Sequence, residues 1–207
     1  PIELWRGATQ GAWFHVEELP GVLPHTFSAP PEACLGIVNA VGASAKETLL
    51  RLQNLCGLVV MISDVSEGTV SAWGDGRARI AYNFLEDDIR RIKRGMYWAA
   101  KVLLAGGAKE VFAPVHGTGV YATAEALEAA ITPKALTDFI LYASHPMSTC
   151  RMGTDPATSV IRPDGRAHAL EGLYLADSSI FPTSLGVNPS VTTMAMGTLI
   201  GRDLARG

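Results

Sequence analysis

The chain has 207 residues, 48% of them hydrophobic and 18% charged, with a formal net charge of -3. That is enough chain for a full core in one large or two small domains. It excludes an electrostatic footprint for nucleic acid, because the densest basic cluster, Arg90, Arg91, Lys93 and Arg94, follows Glu86, Asp87 and Asp88 and reads as a solvated helix face. No apolar run approaches the roughly 20 residues of a membrane span; the best, residues 55–62, is strand-length. Cys34, Cys56 and Cys150 are odd in number and widely spaced, against a disulfide framework or a zinc site of paired cysteines and in favour of a reducing, cytoplasmic setting. The chain opens on Pro1 without an initiator Met or a signal peptide, so an excerpt or a processed product is expected.

Residues 1–43 are rich in Gly, Pro and aromatic residues and read as connecting or wrapping structure, with at most a short strand at 13–17. A helix is expected over 45–56, with Ser44 as N-cap and Glu47 completing a capping box. Three extended segments follow at 58–63, 69–73 and 77–82. The turn signals Ser66-Glu67-Gly68 and Gly74-Asp75-Gly76 separate them, so two antiparallel hairpins are predicted. The spacing of Ile89, Ile92, Met96, Ala99, Ala100 and Leu103 predicts a helix over 86–105, acidic in its first turn and stopped by Gly106-Gly107. Beyond it come a strand at 109–113, a helix at 124–131 with Thr123 as N-cap, and a helix at 133–142. After a turn-rich stretch, residues 172–176 read as a buried strand. Asn188 as N-cap and Pro189 at the first helical position open a last helix to about residue 205.

The stretch SHPMSTCRMG, residues 144–153, packs an imidazole, a rigid proline, hydroxyls, a thiol and a guanidinium into ten positions. Pro146 removes a backbone donor and pushes His145 out of the helical region, so this is a loop or strand end with His145 extended. Taken alone, a loop histidine is more often a satisfied polar residue than a base. The odds shift because a second segment, GVNPSVTTMA at 186–195, places an amide at a helix N-terminus, so that a base and a hydrogen-bond donor would converge on one substrate hydroxyl. Cys150 reads as a small buried residue rather than a nucleophile paired with His145. Arg151 is expected to pair with Asp155 or Asp177, and His168 to be structural.

HPMSTCRMG (145–153), DPATSVIRPDGR (155–166) and GLYLADSSIFPTSLGVNPSVTTMA (172–195), in that order, closely resemble the C-terminal signature of the glucose-methanol-choline (GMC) family of FAD-dependent oxidoreductases. Ser148 stands where the family usually has Gly. The resemblance implies an α+β chain: an antiparallel-sheet substrate domain with helices at 1–143, and at 144–207 the C-terminal strand and helix of a Rossmann-like FAD-binding domain. The N-terminal part of that domain would be missing, since neither GDGRAR at 74–79 nor AGGAKE at 105–110 is a dinucleotide-binding glycine loop.

The resemblance further implies oxidation of an alcohol to a carbonyl, with His145 as general base and Asn188 as the second catalytic position, a neutral donor to the substrate oxygen. Asn188, Pro189 and Ser190 would meet the electron-rich edge of FAD, and Asp177 with Ser178 would lie near its ribityl-pyrophosphate region. For Asp177 a plain turn cap is an equal reading. The expected partners are a small-molecule alcohol, apolar or aromatic, and a complementary FAD-binding half, with no nucleic acid and no membrane span. Three rivals stay open: a cyanohydrin lyase of the same fold, a non-catalytic remnant, and a metal-dependent hydrolase using His145 and Asp155. The last needs further ligands at short spacing that the sequence lacks.

Overall fold

A computed structural model describes residues 3–6, 10–38 and 40–206. In chain order the described elements are strand β1 (Val22–Phe27), helix α1 (Pro31–Ile37), helix α2 (Ala43–Leu50), strands β2 (Gly57–Ile62), β3 (Gly68–Ala72) and β4 (Ala78–Tyr82), helix α3 (Glu86–Ala105), helix α4 (Ala124–Ile131) and helix α5 (Ser190–Ala205). The chain is a mixture of helix and antiparallel sheet that sorts into two compact units. One holds residues 1–62 and 86–141, the other residues 63–85 and 142–207. No helix among the described residues is long and apolar enough to cross a membrane.

In the first unit β1 pairs antiparallel with β2, from Val22 opposite Ile62 to Phe27 opposite Gly57, and α3 packs on both strands. The approach is close because α3 carries Gly95 at the contact. A Cβ there would fall inside the Val60 side chain and come within 3.0 Å of Val22 Cγ1. The glycine costs helix propensity but permits the packing. Ile92, Ala99 and Ala100 bury the same face of α3, and Leu127 and Ile131 bury α4. Thr123 caps α4 by accepting from the Ala126 amide at 3.2 Å. At the other end Lys93 Nζ donates to the carbonyls of Thr132 and Lys134, both at 2.8 Å, a cation where the helix presents its negative pole. Arg94 pairs with Glu128, and Tyr97 donates to Glu125 at 3.1 Å, fastening α3 to α4.

The bounds expected for α3 and α4 are the observed ones. Elsewhere pairing departs from expectation. Of the two hairpins, one forms: β3–β4, from Gly68 opposite Tyr82 to Ala72 opposite Ala78. β2 instead takes β1, in a stretch read as connecting structure, where α1 also forms with Pro31 at its first position. The strands expected at 13–17, 109–113 and 172–176 reduce to single bridges, Trp13 to His25, Val111 to Tyr121 and Tyr174 to Arg166. The helix expected at 133–142 is a three-residue 3-10 turn at Leu136–Asp138, after which the Ile140 amide bonds the Pro114 carbonyl at 2.8 Å. α2 starts at Ala43, after Gly42 at φ 62; Ser44 lies inside it and donates to the Val41 carbonyl instead of capping.

The second unit is built on a core of Ile161, Ile180, Phe181 and Ile200, with Met147, Met152, Tyr174, Leu175, Leu185 and Met196 packed against it. α5 docks through Ile200, its one buried residue. Gly165, at φ +86, lets the 162–166 turn sit on that side chain; a Cβ would be 2.8 Å from Ile200 Cγ2. The hairpin β3–β4 belongs to this unit, with Glu67 just before β3 pairing with Arg151 at 3.8 Å.

Candidate active site

The loop of residues 144–153 is laced to a short 3-10 turn, Ser178–Ile180. Asp177 caps that turn, its Oδ1 accepting from the Ser179 amide at 2.7 Å. Three ties cross from turn to loop. Ser178 Oγ donates to the Pro146 carbonyl at 3.0 Å. The Cys150 amide donates to the Ser179 carbonyl at 3.0 Å, and the Met152 amide to the Ile180 carbonyl at 2.8 Å. Between the first tie and the second the chain reverses at Ser148, whose φ of 66 is the only positive value at a non-glycine among the described residues. His145 and Met147 are half-buried in this loop, and Met147 reaches the core.

The continuation of the loop is held from the other side. Gly153 donates to the Ile161 carbonyl at 2.9 Å, while Arg151 Nε donates to the Thr158 carbonyl at 2.8 Å. Arg151 therefore meets Thr158 and Glu67 rather than Asp155 or Asp177. Asp155 is engaged locally, accepting from the Ala157 amide at 2.9 Å in an Asx turn. His168 Nε2 lies 3.0 Å from the Gly153 carbonyl and 3.1 Å from Ser159 Oγ. A carbonyl only accepts, so Nε2 carries the proton, and His168 braces this loop instead of serving as a base toward Ser159.

Asn188, the predicted cap, is half-buried and lies one residue ahead of the observed one: Pro189, buried, is the N-cap residue, and the helix begins at Ser190. Proline has no side-chain oxygen to offer, and the first turn of α5 carries no acid. The N-cap residue thus offers the first amides of α5 no side-chain acceptor, and these amides are donors at the positive end of a 16-residue helix. This set fits the electron-rich edge of a flavin. For the pyrophosphate of a dinucleotide the fit is absent, since the described residues pair in parallel only at the single bridge of Met152 to Ile161 and include no strand, glycine loop and helix unit. Nor do three His, Cys, Asp or Glu side chains gather as a metal site would need, among the described residues.

Of the residues singled out in the sequence, His145 sits in the loop, Asp177 and Ser178 in the turn that holds it, and Asn188, Pro189 and Ser190 at the head of α5. One core joins all three segments through Met147, Ile180, Phe181, Leu185 and Met196. Asp177 Oδ1 and Ser178 Oγ are turned to local work, the capping and bracing just described. The brace is what sequence reasoning missed; its one visible signal was Ser148 standing in for a glycine.

Comparison with known proteins agrees with these motifs. The family model described as GMC oxidoreductase matches residues 64–197. A long-chain-alcohol oxidase of Arabidopsis thaliana is 33% identical over 169 residues, 77% of this chain and 23% of its own length. An oxygen-dependent choline dehydrogenase of Escherichia coli is 45% identical over 65 residues, 31% of this chain and 11% of its own. Among solved structures, pyridoxine 4-oxidase from Mesorbium loti superposes with a TM-score of 0.56 at 19% identity, over 91% of this chain and 35% of its own, a likeness of fold. The chain spans about a quarter of the length of the alcohol oxidase and about a third of that of the pyridoxine oxidase. With the family model covering well over half of it, from the hairpin through the His145 loop to α5, this chain belongs to the GMC oxidoreductase family.

Proposed function

We propose that the chain is the catalytic C-terminal part of an FAD-dependent oxidoreductase that converts an alcohol to a carbonyl. The observation that carries the reading is the meeting, on one core, of a braced histidine loop and the start of a helix whose N-cap residue is a proline without a capping side chain. FAD would supply the hydride acceptor. His145 takes the hydroxyl proton, because an alkoxide-like oxygen releases hydride far more readily than an alcohol. Asn188 donates to the same oxygen without competing for its proton. The first amides of α5 favour negative charge on a flavin edge set against Asn188, Pro189 and Ser190.

The alcohol is apolar: aromatic and aliphatic residues dominate the region before residue 143, and the matched Arabidopsis protein is a long-chain-alcohol oxidase. The partner is a complementary FAD-binding portion. α5 supports this, because Val191, Met194 and Leu199 are exposed on the side away from Ile200 and no charge interrupts residues 190–201. A helix apolar on both sides is one built to be covered on both. Replacing His145 by Ala in the flavin-loaded protein should slow flavin reduction by alcohol about 10²–10⁴-fold with flavin still bound, as expected for loss of a general base. Reduction at a near-normal rate would refute the reading.

A further inference from the structure

We infer that Ser178 is a positioning residue for His145, and that its contribution to the site is made through the Pro146 carbonyl and not through the cofactor. The inference rests on the alcohol-oxidation reading above. The geometry is specific. Proline has no N–H, so at residue 146 the carbonyl is the one backbone group that can be hydrogen-bonded in place. Ser178 Oγ occupies it at 3.0 Å. The other two ties of the loop, at Cys150 and Met152, run backbone to backbone and lie further from His145. Of the three ties from the turn to the loop, Ser178 therefore supplies the one made by a side chain, and it is the tie nearest the imidazole.

Ser148 shows that the loop is held and not simply resting. A serine at φ 66 is in a conformation that L-residues with a Cβ avoid, and such residues persist where their surroundings over-determine them. The pins on either side of it, Pro146 to Ser178 and Cys150 to Ser179, are what fix the reversal. Asp177 completes the device by capping the turn that presents Ser178. A hydroxyl has one proton, and here it is spent on Pro146; toward a bound cofactor Ser178 is left only as an acceptor.

The test uses Ser178→Ala and Ser178→Thr in the flavin-loaded protein. The alanine variant should lower kcat for flavin reduction about 10–10²-fold, the scale set by small misplacements of a reacting group. KM and flavin affinity should be unchanged, and Ser178→Thr should restore the rate. A second readout is independent of turnover: in protein labelled with 13C-histidine, the His145 ring signal should move in Ser178→Ala and return in Ser178→Thr. Weakened flavin binding with kcat intact would overturn the inference in favour of a cofactor contact, as would an unmoved His145 signal. His145→Ala separates this from the parent reading. If that variant reduces flavin normally, the alcohol-oxidation reading falls, while the ring signal still decides whether Ser178 sets the His145 position.

Discussion

Replacing Ser148 with glycine should stabilise the protein. At φ 66 the Ser148 Cβ crowds the backbone, at a cost of about 1–2 kcal/mol for a residue other than glycine. Glycine removes that cost but gives back about 0.5–1 kcal/mol through the greater freedom of the unfolded chain. The balance is a gain of about 0.5–1 kcal/mol, or a rise in Tm of about 1–4 °C for a chain of this size. Urea and thermal unfolding of the two proteins side by side measure it. Ser148→Ala is the control: it keeps the Cβ and so the strain, and should stay within about 0.5 kcal/mol of the parent. Ser148→Val, with a second branch at Cβ, should be less stable than either. If the glycine variant is no more stable than the alanine variant, the residue is not held in the left-handed region and the argument that the loop is pinned loses its main support.

Gly165→Ala should destabilise by about 2–4 kcal/mol, combining a Cβ at φ +86 with its collision on Ile200, and a urea midpoint close to the parent's would refute that packing. Thr123→Ala should cost about 1 kcal/mol by removing the cap of α4, and Thr123→Ser should restore it; hydrogen exchange of the first α4 amides reads the effect locally. Burial, and then the nearby Glu32 carboxylate, raise the Cys34 thiol above its ordinary value of 9.0. Below 9.0 folded and unfolded chains both hold the proton and the stabilisation is whole. Above it the unfolded chain releases the proton first, so stability should decline as pH climbs through the raised folded value, and Cys34→Ala should abolish that slope. The same burial should leave Cys34 the slowest of the three thiols to alkylate and exposed Cys56 the fastest, measured by mass spectrometry of the timed reaction.

What could be read in the sequence was what depends on near neighbours. α3 announces itself by an acidic first turn, a helical spacing of apolar residues and the Gly106-Gly107 stop, and α4 by Thr123; both have the expected bounds. The parts that were not legible depend on distant partners. β1, read VLPHTF, contains a proline and no alternation, and becomes a strand because β2, some 30 residues on, supplies its ladder. The segment 133–142 has apolar residues at helical spacing, but a bridge from Phe139 to Val115 draws it out. Likewise the motif residues His145, Asp177, Ser178 and Asn188 stand out locally, whereas the bond from Ser178 to Pro146, 32 residues apart, leaves no trace in composition or period. The Asn-Pro signal gave the head of α5 one residue early, since a buried proline without a side-chain oxygen took the capping position.

The second unit is assembled from two stretches of chain, the hairpin segment 63–85 and residues 142–207, with α3 and α4 between them. On the ribosome the hairpin emerges well before the residues that complete its unit, at about 5–20 residues per second. A lone two-stranded ribbon is marginal in water, and this one carries Val70 opposite Ile80, both exposed along its length. Until the His145 loop arrives with Arg151 to meet Glu67, that ribbon is an unfinished edge in a crowded cell, and the interval between its synthesis and that of the last helix is when the nascent chain is most open to pairing with the wrong strand.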